Sequence, residues 1–200
     1  MTLRQILLKA TYPFIMLRNK LWPHDRSIQL NSKHKPPAVS VYDRSIVSLN
    51  GEKIDLSGFK GKKLLLVNTA SNCGFTAQYG ELETLYRQNR DKLVVIGFPA
   101  NDFKQQEPLD NAHIAEFCAI NFGVSFPLAQ KTQVIKGAGQ DPVFSWLTHA
   151  DQNGWCNQQP LWNFCKYLID ENGELVGFFA HTVSPLHPKI TALISGNAPH

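Results

Sequence analysis

Cys73 is the residue whose surroundings most favour reactivity. It lies in Val67-Asn68-Thr69-Ala70-Ser71-Asn72-Cys73-Gly74-Phe75-Thr76, where a buried apolar run gives way to small polar residues and then to a helical pattern. A helix N-terminus offers free N–H groups and a partial positive charge. A thiol placed there is expected to lose its proton more easily and to become a better nucleophile. A cysteine taken at random is more often an inert buried hydrophobe. Cys73 stands apart from that rule by its place in the chain. The other cysteines are Cys118, Cys156 and Cys165, with no Cys-x-x-Cys pair. No structural zinc site is therefore expected.

Two further segments carry groups that can hold or donate protons. Residues 98–108, FPANDFKQQEP, leave the C-terminal end of a second apolar run. In open α/β sheets that edge is where ligands bind. Leu161-Trp162-Asn163-Phe164 brings an indole N–H and a carboxamide to the start of a later strand. Taken singly, Trp162 reads as core packing and Gln106 as a solvated loop residue.

The elements that must position these residues have an α/β pattern. Residues 39–47 and 52–56, on either side of Asn50-Gly51, read as a hairpin. Residues 63–69 (KLLLVNT) and 93–98 (LVVIGF) are continuous apolar runs, as in strands buried on both faces. Helical spacing covers residues 78–89, 111–122, 142–149 and 185–194. Residues 164–169 and 174–179 read as a closing strand pair. The expected architecture is a central mixed sheet flanked by helices.

With 200 residues, 43% of them apolar and 18% charged, the chain has the composition of one globular domain with a short appendage. No run approaches the roughly 18 apolar residues of a membrane span. The net charge of +4 is uneven. Residues 1–35 carry seven cations against one anion, and residues 36–200 carry 13 against 15. The near-neutral main part gives no reason to expect nucleic-acid binding. In the basic arm, Leu3, Leu7, Ala10, Phe14, Leu17 and Leu21 form an amphipathic stripe, with Pro13 expected to kink or divide the helix. The stripe reads as packing on the domain's own surface, or as a contact with a membrane surface or a partner. Residues 1–37 are thus expected to be extension and linker, with the domain at 38–200. Lys9 splits the apolar stretch and no small-residue cleavage site follows, so a secretory signal is not expected and a cytoplasmic location is.

The segments LLLVNTASNCGFTAQYGELETLY, FPANDFKQQEP and LWNFCKYLIDENG together resemble the glutathione peroxidase family, with order and spacing matched across residues 38–195. The resemblance implies a thioredoxin-like fold and reduction of hydroperoxides without metal, haem or flavin. It implies Cys73 as the peroxidatic residue, surrounded by Gln106, Trp162 and Asn163. Where the family commonly has Phe-Pro-Cys-Asn-Gln-Phe, this chain has Ala100 and Asp102. The segment between Phe144 and Trp162 is short, as in monomeric members, many of which take electrons from thioredoxin rather than glutathione. Cys118 falls in the region where such members keep a resolving cysteine. Two other readings compete. One is a thioredoxin-like disulfide reductase, against which Thr76 counts because thioredoxin-type proteins have a second cysteine at that position. The other is a non-catalytic binding or metal-carrier module, which would want paired cysteines and a nearby histidine.

Overall fold

The structure, a computed structural model, describes residues 3–21 and 27–196. A five-stranded sheet runs in the order β1-β7-β6-β4-β5. Its strands are β1 (Ile28–Leu30), β4 (Lys63–Thr69), β5 (Leu93–Pro99), β6 (Lys166–Ile169) and β7 (Leu175–Phe179). A separate hairpin joins β2 (Ser45–Val47) to β3 (Lys53–Asp55). The helices are α1 (Leu3–Leu21), α2 (Gln78–Gln88), α3 (Asn111–Phe122), α4 (Pro142–Leu147), α5 (Ala150–Asn153) and α6 (Pro188–Ser195).

β4 and β5 pair in parallel and the other neighbours pair antiparallel, so the sheet is mixed as expected. Alternate residues of each strand point to opposite faces. Leu64 and Leu66 of β4 join Ile96, Tyr167 and Phe178 in one core layer, closed by Phe144 and Trp146 of α4. Leu65 and Val67 face the other way, into a layer with Val95 and Leu168. That layer is closed by α2 (Tyr79, Leu82, Leu85), α3 (Ile114, Phe117, Cys118) and α6 (Ile190, Ile194). Double burial explains the unbroken apolar runs of β4 and β5.

The N-terminal region departs from expectation at three places. The expected extension supplies the edge strand: Ile28–Leu30 pairs with β7 in the register Ile28 to Phe179. Three residues are too short for an alternation to register in sequence. The expected linker is pinned at both ends. Asn31 uses its carboxamide to bind the Lys35 backbone in both directions, at 3.0 Å each, and Ala38 N–H donates to Gln152 O at 2.9 Å. Pro13 lies inside a single α1. It is exposed, so water can satisfy the carbonyl that loses its partner. Residues 1–2 and 22–26, also assigned to the extension, lie outside the described residues.

The hairpin is shorter than its apolar pattern. Val41–Asp43 forms a 3₁₀ turn instead of strand, because the Ser40 hydroxyl accepts the Tyr42 N–H. Gly51 takes the left-handed conformation that the turn requires, φ 88°.

Candidate active site

Three segments meet at the C-terminal end of β4. The chain leaves β4 at Thr69 and passes through a series of turns before α2 begins at Gln78. Cys73 sits in those turns. Its N–H donates to Thr76 Oγ1 at 3.1 Å, and the Thr76 hydroxyl donates to Cys73 O at 2.6 Å. Thr76, which stands where a local dithiol would need its second sulfur, thus fixes the turn that presents Cys73.

This corrects the expectation that a helix N-terminus activates the thiol. α2 starts five residues beyond Cys73, and Cys73 is fully buried. Burial pushes the thiol pKa above its ordinary value of 9, because a thiolate loses its hydration there. Four donors act in the opposite direction: the Phe75 N–H, the Asn163 carboxamide, the Trp162 indole and the Gly74 N–H. Phe75 N lies 3.5 Å from Cys73 Sγ.

Trp162 and Asn163 reach the sulfur because Asn68 holds their loop. Asn68 Nδ2 donates to Trp162 O at 3.0 Å, and Asn68 Oδ1 accepts the Cys165 N–H at 3.0 Å. The Asn68 backbone carbonyl accepts the Phe164 N–H at 2.6 Å. Phe164 is held at φ 70°, a left-handed conformation costing roughly 1–3 kcal/mol in a non-glycine residue. It turns the chain between Asn163, beside the sulfur, and β6.

Gln106 arrives on the loop after β5. Lys104 and Gln105 both have left-handed backbones, φ 50° and 52°, and double the loop back. Gln106 O accepts the Asn72 N–H at 3.0 Å. Gln106 Oε1 accepts from Asn163 Nδ2 at 2.9 Å, so its side chain joins the site through Asn163. The Trp162 ring packs at 5.5 Å from Phe103, with Lys104 Nζ 5.7 Å from its centroid. Asn163 Oδ1 is buried with no hydrogen-bond partner among the described residues.

Three neighbours of the site escaped the sequence reading. Glu107 is fully buried, and its carboxylate accepts the Ser71 hydroxyl at 2.6 Å and the Ser71 N–H at 2.8 Å. Burial raises its pKa against the pull of those hydrogen bonds. A Glu in a polar loop carries no sequence sign of burial. Asn68 looked like one more strand residue. His181 is far from Cys73 in sequence, yet its ring lies 4.9 Å from that of Phe75.

The other cysteines divide between the two core layers. Cys118 shares its layer with Cys73, whereas Cys156 and Cys165 belong to the opposite one. Burial pushes the Cys118 thiol up to about 12, and the Tyr79 hydroxyl lies beside it. Cys118 also forms part of the wall of a cleft of about 680 Å³ between the hairpin and α3. Cys156 lies in the loop Gly154-Trp155-Cys156-Asn157. It is buried and clamped by Asn153, which accepts its N–H at 2.7 Å and donates to its carbonyl at 2.8 Å.

A mixed sheet with helices on both faces, and a donor-ringed cysteine at the end of an interior strand, defines a thioredoxin-like oxidoreductase. Comparison with known proteins narrows the class. The family model described as glutathione peroxidase matches residues 41–148. The chain is similar to the glutathione peroxidase homolog BsaA of Halalkalibacterium halodurans, 44% identical over 76% of this chain and 96% of that one. It is 41% identical to the glutathione peroxidase-like peroxiredoxin GPX5 of Chlamydomonas reinhardtii, over 77% and 96%. The solved structure of Trgpx in apo form superposes with a TM-score of 0.61 at 35% identity, over 81% and 99% of the two chains. The chain belongs to the glutathione peroxidase family and is a glutathione peroxidase-like oxidoreductase.

Proposed function

We propose that this enzyme reduces hydrogen peroxide and organic hydroperoxides at Cys73, with thioredoxin as the preferred reductant over glutathione. The observation that carries the proposal is the convergence of the Asn163 carboxamide, the Trp162 indole and the Phe75 N–H on one buried sulfur. Such an array favours a thiolate and polarises whatever oxygen the sulfur attacks.

The thiolate attacks one peroxide oxygen, an S–O bond forms and the O–O bond breaks. The leaving oxygen takes a proton and departs as water or an alcohol, and Cys73 becomes a sulfenic acid. The Cys118 thiol then attacks that sulfur, an S–S bond forms and water leaves. A dithiol reductant such as thioredoxin reduces the disulfide and returns both thiols. The placement of Cys118 in the same core layer as Cys73 supports it as the partner. A disulfide needs a sulfur separation of about 2.05 Å and Cα atoms within about 7 Å. Cys118 is buried on α3, so this step involves local unwinding around residues 111–122. The short segment between Phe144 and Trp162 supports action as a monomer.

The test is NADPH-coupled peroxide consumption with a thioredoxin system and, separately, with a glutathione system. Turnover is expected with the first. Robust turnover with glutathione and none with thioredoxin overturns the reductant assignment, and turnover retained in Cys73→Ser overturns the site.

A further inference from the structure

α1 sits on the domain by the face opposite to its apolar stripe. Gln5 and Tyr12 lie on that inner face. Gln5 Nε2 donates to Ser71 O at 3.2 Å, and the Tyr12 hydroxyl donates to Glu81 Oε1 at 2.8 Å. The Tyr12 ring meets Phe75 edge-on at 6.4 Å. The outer face presents Phe14 (75% exposed), Leu7 (57%), Leu17 (55%) and Ile6 (53%). The sequence allowed packing on the domain's surface or contact with something outside. The domain takes the face that carries Gln5 and Tyr12 and leaves the stripe uncovered.

We infer that this face is an interfacial anchor that lays α1 in the plane of an anionic lipid bilayer. Charge selects that occupant. α1 contains Arg4, Lys9, Arg18 and Lys20 and no Asp or Glu. A helix with an exposed apolar stripe, whose charged residues are all cations, has the composition of one that buries its apolar side among acyl chains and is drawn to anionic headgroups. A second copy of the chain seated on the same stripe would bring four cations against four. Among the described residues no helix is long and apolar enough to cross a membrane, so α1 lies on the surface. Ser71 and Phe75, which the inner face of α1 touches, flank Cys73, so anchoring holds the Cys73 loop about one helix diameter, ~10 Å, from the bilayer.

The anchor rests on α1 and is independent of the peroxidase reading. It is tested by co-sedimentation of the full chain with vesicles of phosphatidylcholine mixed with phosphatidylserine, and with vesicles of phosphatidylcholine alone. The chain should bind the mixed vesicles, bind the neutral ones at least about tenfold more weakly, and be released by salt. Leu7→Glu/Phe14→Glu/Leu17→Glu should reduce binding to the mixed vesicles at least about tenfold while hydrogen peroxide turnover stays at the full-chain level. Far-UV circular dichroism shows whether that variant keeps its helix. If it does not, Leu7→Gln/Leu17→Gln is read in its place, with a smaller loss expected. Equal binding to both vesicle types, unchanged binding in the variants, or a dimer that the variants disperse without vesicle binding would each overturn the anchor. Absence of peroxide turnover in a chain that still binds vesicles would count against the peroxidase reading alone.

Discussion

Asn68 grips Trp162: its Nδ2 donates to the Trp162 carbonyl at 3.0 Å while its Oδ1 holds the Cys165 N–H at 3.0 Å. One carboxamide on β4 thereby fixes the loop that aims two donors at Cys73. Asn68→Ala would leave two backbone groups unpaired in the interior, at roughly 1–3 kcal/mol each. A lower Tm is expected, with a fall in peroxide turnover. Asn68→Asp keeps the acceptor for Cys165 but loses the donor to Trp162, so it should recover part of the stability and little of the turnover. Equal recovery of both would give Asn68 a purely structural role.

The donor array makes a graded forecast. Cys73→Ser should abolish turnover with the fold intact. Loss of one such donor costs on the order of 10²–10³ in rate, so Asn163→Ala and Trp162→Phe should fall in that range. Gln106→Ala should cost less, because Gln106 acts through Asn163. Burial holds the Cys73 pKa above 9, so its reaction with peroxide should accelerate as pH rises through and beyond that value. Stopped-flow measurement of sulfenic acid formation against pH checks both points.

Peptide mapping after peroxide treatment should yield a Cys73–Cys118 disulfide. Cys118→Ser should let the sulfenic acid accumulate and lower thioredoxin-dependent turnover at least about tenfold. Recovery of a Cys73–Cys156 linkage would require release of the Asn153 clamp and would replace this assignment.

Stability should pass through a maximum near pH 9. Lys166 is fully buried, its Nζ donating to the carbonyls of Ala180 and Val183, and burial pushes its pKa down to about 7 from 10.5. Between those values the unfolded chain holds a proton that the folded chain lacks, so stability rises with pH. The buried thiols act oppositely. Cys118 is pushed up to about 12 and Cys156 to about 11, so above 9 the folded chain keeps protons that the unfolded chain releases. Urea unfolding from pH 6 to 10.5 should trace the rise and the fall. Lys166→Met should flatten the rise and leave the fall.

Truncation separates the two parts of the N-terminal region. A chain beginning at residue 27 keeps β1, whereas one beginning at residue 38 exposes the β7 edge and loses the packing of Ile28. The shorter chain should be less stable by at least about 1.5 kcal/mol, read as a shifted urea midpoint. Equal midpoints would make β1 dispensable.

Local chemistry was legible where it was strong. β4 was read as residues 63–69 and α3 as residues 111–122, the bounds that the structure gives. Double burial writes an unbroken apolar run, and α3 carries its own ends, Asp110 capping the N-terminus and Gly123 left-handed at the C-terminus. Positions 73, 106, 162 and 163 were drawn together by the resemblance that their three segments carry, since Trp162 and Gln106 taken singly read as core and loop. What the sequence left open were relations across distance. Gln106 and Asn163 are 57 residues apart, and their hydrogen bond exists because β5 and β6 both flank β4. Glu107 is buried because Ser71 comes to meet it. The Cys73 pKa is raised because the surrounding loops desolvate the thiol, an effect that no spacing encodes. The pattern of α1 marked an apolar stripe; tertiary packing decided that the opposite face, with Gln5 and Tyr12, meets the domain.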